Sequence, residues 1–153
     1  MPVKKLKEFL DSHGVKYVTM VHSTAYTAQE IAAASHVRGR ELAKTVILKM
    51  DDKIAMAVLP ASYQVDIDAL KTVTGANNIK IATEEEFKDL FPGCELGAMP
   101  PFGNLYDMEV YVAEKLADNK EIAFNAGSHS ELIKVGYKDF ENLVKPKVLR
   151  FSR

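Results

Sequence analysis

The stretch AKTVILKMDDKIAMAVLP, residues 43–60, decides how the rest of the chain is read. It holds two nearly continuous apolar runs, AKTVILKM and KIAMAVLP, separated by DDK. Such runs are too short for buried helices, and two of them across a polar turn predict a tight hairpin of central strands. Outward from the hairpin, short strand and helix patterns are mixed. Val3, Leu6, Phe9 and Leu10 recur at helical spacing before Gly14, which predicts an amphipathic helix over 3–13. VKYVTMVH reads as a strand, and Thr27 with Glu30 forms a capping-box pattern ahead of IAAAS, a second short helix. Asp66–Thr74 predicts a helix stopped by Gly75, and Thr83–Phe91 another, with Thr83 and Glu86 as its capping box. MEVYVA, EIAFNAG and ELIKVGY are strand candidates, KDFENLV is a short helix, and KVLRF is a closing strand behind Pro146. This order predicts an α+β fold, short helices around one central mixed or antiparallel sheet, rather than alternating βαβ units. No linker composition divides the chain, so residues 1–153 read as a single domain.

Composition narrows the function classes. Twenty basic and 21 acidic side chains give a formal charge of −1, so there is no general electropositive field for gripping long nucleic acid, DNA included. Any phosphate contact must be local. MPVKKLKEFL lacks an apolar leader core and no window approaches a membrane span, which reads as a cytoplasmic protein. Cys94 is the one cysteine and cannot form an internal disulfide. His13, His22, His36 and His129 show no metal-ligand spacing, and no phosphate-loop or dinucleotide glycine motif occurs, so neither metal nor cofactor is expected.

Three places could carry chemistry. Lys44 opens the first central strand on the same face as Val46, Leu48 and Met50, with Lys49 opposite and solvated. It reads either as an edge lysine snorkelling to water or as a cation at a pocket rim. NAGSHS, residues 125–130, is either a plain hairpin turn or an anion or carbonyl cradle in which Gly127 lets a ligand approach the backbone. In GAMPPFG, residues 97–103, Pro100 and Pro101 predict a short polyproline-II rod with bends at Gly97 and Gly103. That rod is either a connector or a pre-stiffened pocket wall with Met99 and Phe102 as apolar lining. Cys94 as a nucleophile and His22 as more than a hydrogen-bonded strand end are the remaining options.

Together, ELAKTVILK, GAMPPFG and FNAGSHSELIKV, in this order and at these separations, resemble the YbaK/prolyl-tRNA synthetase-associated editing domain family. The likeness runs from VHSTAYTAQEIA to LVKP. It implies a deacylase, free-standing or inserted in a synthetase, that hydrolyses the ester between a wrongly attached small amino acid and the terminal adenosine of a tRNA. It places the family's lysine on Lys44, gripping phosphate or ribose of the tRNA 3′ end. Its glycine–histidine turn falls on Gly127, Ser128 and His129, against the aminoacyl group. Its size-limiting loop falls on Gly97, Met99, Pro100, Pro101, Phe102 and Gly103, and HSTAYTAQE puts His22 and Tyr26 at the entrance. The implied partners are the tRNA acceptor end and an aminoacyl-tRNA synthetase, with alanine, serine, threonine and cysteine all open as the edited residue. No metal is implied. A fold-retaining module that binds tRNA or a synthetase without turnover is the alternative.

Overall fold

A computed structural model describes residues 2–21, 39–95 and 97–153. The expected helix after Thr27, and the placements of His22 and Tyr26, lie outside these residues. Helix α1 (Pro2–Ser12) leads into β1 (Tyr17–Val21); β2 (Ala43–Met50) and β3 (Lys53–Pro60) form the central hairpin. Then come α2 (Ile67–Thr74), β4 (Ile79–Ile81) and the one-turn α3 (Glu84–Phe87). The diproline loop ends in a 3-10 turn at Gly103–Leu105, before β5 (Glu109–Ala113), α4 (Glu114–Ala117), β6 (Glu121–Asn125), β7 (Glu131–Gly136), α5 (Tyr137–Val144) and β8 (Lys147–Leu149).

The architecture is α+β, as the sequence predicts, but the expected single sheet is divided. Five strands in the order β4-β2-β3-β5-β8 form one sheet and three in the order β1-β7-β6 another. The β2/β3, β2/β4, β1/β7 and β6/β7 pairs are antiparallel, while β3/β5 and β5/β8 are parallel. An isolated parallel bridge, Leu42 to Ala123, joins the two sheets at the start of β2. The hairpin turns on Asp51 and Asp52, at φ 53° and 122°; the first lies in the left-handed region, which aspartate tolerates better than most residues. The Asp51 carboxylate accepts from the backbone amides of Asn77 and Asn78, at 3.1 and 2.8 Å, tying the turn to the segment entering β4.

Strand alternation sorts the hairpin between two cores. Ile47, Met56 and Val58 join Leu6 and Leu10 of α1, Phe102, Phe124 and Phe140 in the larger one. Leu48, Met50, Ala57 and Leu59 pack with Leu70 of α2 and Phe151 in the other. Lys49 is on the face opposite Leu48, as expected, yet it is not merely solvated: its ammonium pairs with Glu86 at 3.2 Å.

The capping box at the start of α3 is formed, Glu86 N bonding the Thr83 hydroxyl and Thr83 N bonding the Glu86 carboxylate. The helix is one turn rather than the expected nine residues. The Thr83 amide, and after it Lys49, hold the Glu86 carboxyl down to about 2, from an ordinary value of 4.5. A depressed carboxyl stabilises the fold above its ordinary value and loses that contribution as pH falls through the depressed one. Glu86→Gln is therefore expected to lower the urea midpoint at pH 7, with the difference from wild type closing between about pH 4.5 and pH 2. Parallel urea titrations at several pH values check this.

Candidate functional site

Among the described residues, the edge of β2 away from β3 is covered at both ends and open between. Leu42 bridges to β6, Leu48–Met50 pair with β4, and the Ile47 carbonyl accepts from Ala82 N at 2.9 Å. Beside the intervening stretch lies a cleft of about 340 Å³, lined by Thr45, Val46 and Ile47, by Phe87, and by Gly97 and Met99 of the diproline loop.

The loop is strapped to the β6–β7 turn. Gly127 N donates to the Ala98 carbonyl at 2.9 Å, and Glu95 N donates to the Gly127 carbonyl at 2.8 Å. The Glu95 carboxylate accepts from His129 N at 3.0 Å. Gly97, at φ 83°, lies against the His129 ring: a methyl group on its Cα would stand 3.5 Å from Cε1 and 3.8 Å from Nε2. A side chain there would be strained by the backbone angle and would fill the space over the imidazole. Gly97 and the Gly127–His129 turn, some thirty residues apart in sequence, thus form one surface, and His129 is buried in it.

Two sequence expectations change. The turn is not an open cradle of amides: those of Gly127 and His129 are bonded to the loop, and Ser130 N bonds the Ser128 hydroxyl at 3.4 Å. Nor is the whole diproline stretch a lining. Pro100, Pro101 and Gly103 are buried, and Phe102 is fully enclosed among Phe9, Phe124 and Phe140. Gly103 serves packing, since a methyl group there would meet Val110 Cγ2 at 2.5 Å and the Met108 carbonyl at 2.8 Å. Gly97 and Met99 are the loop residues that line the cleft.

Lys44 is half-buried, immediately before Thr45. Its side chain leaves β2 on the face of Leu42 and Leu48, opposite to that of Thr45. Burial lowers its pKa below the ordinary lysine value, and among the described residues no carboxylate pairs with it. Nor does any hydrogen bond among those residues join Lys44 to the loop or the turn. An ammonium partly stripped of water and left without a counter-ion is suited to an incoming anion. Cys94 is poorly prepared to act as a nucleophile. Burial pushes its thiol up, and its Sγ lies 3.9 Å from the Tyr106 hydroxyl, whose own pKa is also raised by burial.

The sequence reading passed over Thr45, Glu95 and Asn125. Asn125 lies inside the NAGSHS motif, but its nearness to Lys44 depends on the isolated bridge from Leu42 to Ala123. Among the described residues no group of three or more metal-ligating side chains gathers, and no helix is long and apolar enough to cross a membrane.

Comparison with known proteins places this arrangement. The model of the aminoacyl-tRNA editing domain matches residues 22–143. The chain is 27% identical to the multifunctional Ser/Thr-tRNA deacylase ProXp-y of Escherichia coli K12, with 98% of this chain and 92% of that protein covered. It is likewise 27% identical to a proline–tRNA ligase of Bacillus cereus AH187 over 58% of this chain, but it spans only 16% of the ligase. Among solved structures, the hypothetical protein APE2540 superposes with a TM-score of 0.87 at 20% identity, covering 97% of this chain and 99% of that one. A protein described as a candidate trans-editing enzyme for prolyl tRNA synthetase superposes with a TM-score of 0.84 at 21% identity, covering 99% and 97%. With the family match extending over most of the sequence and the fold shared by these structures, the chain belongs to the aminoacyl-tRNA editing domain family.

Proposed function

We propose that this protein is an aminoacyl-tRNA deacylase, acting in trans on tRNAs mischarged with a small amino acid: alanine, serine, threonine or cysteine. The observation that carries the reading is the junction of Gly97, Gly127 and His129 near β2, the strand that also carries Lys44, whose ammonium has no counter-ion among the described residues. Lys44 supplies the cation for phosphate or ribose at the tRNA 3′ end. Gly97 and His129, with Ser128 in the turn, bound the space for the aminoacyl side chain, and Met99 closes the cleft beside them. His22 and Tyr26, outside the described residues, are the further residues proposed to contact the substrate.

The reaction is ester hydrolysis. Water adds to the ester carbonyl, the acyl–oxygen bond breaks, and a proton from the water passes to the departing ribose oxygen. No side-chain nucleophile is needed, because positioning and a preorganised positive charge can supply much of the rate. A sieve of this kind is useful because one methylene gives a synthetase only about 1–3 kcal/mol of discrimination. A formal charge of −1 suits a protein that holds a short single-stranded end through a few phosphate contacts. An aminoacyl-tRNA synthetase is the natural partner, and the cytoplasm, where tRNAs are charged, the natural setting.

Incubating the protein with a panel of mischarged tRNAs and measuring release of free amino acid tests the reading. Turnover of at least one small-residue tRNA is expected, at an unchanged rate in Cys94→Ser. Hydrolysis of no charged tRNA would favour the tRNA- or synthetase-binding module, and loss of turnover in Cys94→Ser would favour a thiol mechanism.

A further inference from the structure

Near Lys44 stands a side-chain amide oxygen with nothing to bond among the described residues. The Leu42–Ala123 bridge is parallel and isolated, and β2 and β6 stay close beyond it, so two residues further along each chain Lys44 and Asn125 come near one another. Leu42, Ala123 and Leu132 share one small apolar cluster, whereas Ala43, Phe124 and Ala126 lie in the large core on the other face. By alternation Lys44 and Asn125 both project on the Leu42–Ala123 face. Asn125 Oδ1 is shut off from solvent and, among the described residues, has no hydrogen-bond donor. A buried amide oxygen in that state is unfavourable to the fold, which favours a donor that arrives with a ligand.

Resting on the deacylase reading, we infer that Asn125 is a substrate-positioning residue whose Oδ1 accepts a hydrogen bond from the ribose hydroxyl vicinal to the scissile ester. The other donor near that ester, the α-ammonium of the amino acid, would stand as a second cation beside Lys44 and meet like-charge repulsion. A neutral hydroxyl meets none. Lys44 and Asn125 then divide the terminal nucleotide between them, the cation taking its anionic part and the amide fixing the sugar that carries the ester.

The test uses two non-hydrolysable analogues of the terminal aminoacyl-adenosine, with an amide in place of the ester, one bearing the vicinal hydroxyl and one lacking it. Calorimetric titration of wild type is expected to favour the hydroxyl analogue about tenfold, the usual worth of one hydrogen bond. In Asn125→Ala that preference should fall to about onefold while the melting temperature stays level or rises, because the orphan oxygen is gone. Asn125→Asp keeps an acceptor and should keep the preference. An undiminished preference in Asn125→Ala, an equal loss of both analogues, or binding of neither by wild type would overturn the assignment. Failure of the deacylase reading shows separately, as absence of turnover across the charged-tRNA panel.

Discussion

Lys44→Ala is expected to lower deacylation by about 10²–10³-fold with little change in melting temperature, the loss typical when one preorganised electrostatic contact is removed from a reacting centre. Burial already disfavours the charged form of Lys44, and no carboxylate among the described residues offsets that cost. Removing the ammonium therefore strands no partner charge, and the fold should tolerate the change. Its attraction for a phosphate at about 4 Å is on the order of 4 kcal/mol in a partly buried setting, enough to account for the expected factor. Lys44→Arg restores charge but not shape and should recover only part of the rate. Since the lysine pKa is lowered, wild-type turnover should decline on the alkaline side before an ordinary lysine would deprotonate. Single-turnover rates across pH, with circular dichroism melts of each variant, check these points. An undiminished rate in Lys44→Ala would remove the cation from the mechanism.

Phe102→Ala is expected to destabilise the protein by about 3–5 kcal/mol, the range for truncating an enclosed aromatic residue. The Phe102 ring is fully buried, 5.4 Å from that of Phe124, 5.5 Å from Phe140 and 6.1 Å from Phe9. It thus joins the diproline loop to β6, α5 and α1. For a chain of this length the melting temperature should drop by on the order of 10 °C. A pocket-lining role predicts the opposite pattern, a small change in melting and a changed preference among small amino acids. Thermal melts with the charged-tRNA panel at a permissive temperature separate the two.

The elements whose formation depends on neighbours in sequence could be read directly. The hairpin of β2 and β3 lies where two apolar runs meet at paired aspartates. Asp66 caps α2, Gly75 ends it at φ 76°, and the Thr83–Glu86 box starts α3. Turn, cap and alternation patterns act over a few residues, so they survive without tertiary context. The length of α3 was not legible, because Phe87 and Phe91 both enter the large core and fit a longer helix by spacing alone. Phe102 illustrates the same limit: an apolar residue beside two prolines suits a pocket wall and a core equally well until its neighbours are known.

By itself the sequence determined the α+β character, the strand that carries Lys44 and the face on which that lysine stands, since chain periodicity and local caps are properties of consecutive residues. Tertiary structure alone decided that the sheet divides in two, that Gly97 meets the His129 ring and that the bridge from Leu42 to Ala123 brings the start of β2 beside β6. These relations join residues about thirty to eighty positions apart, and they follow from strand register and core packing, which no local pattern encodes.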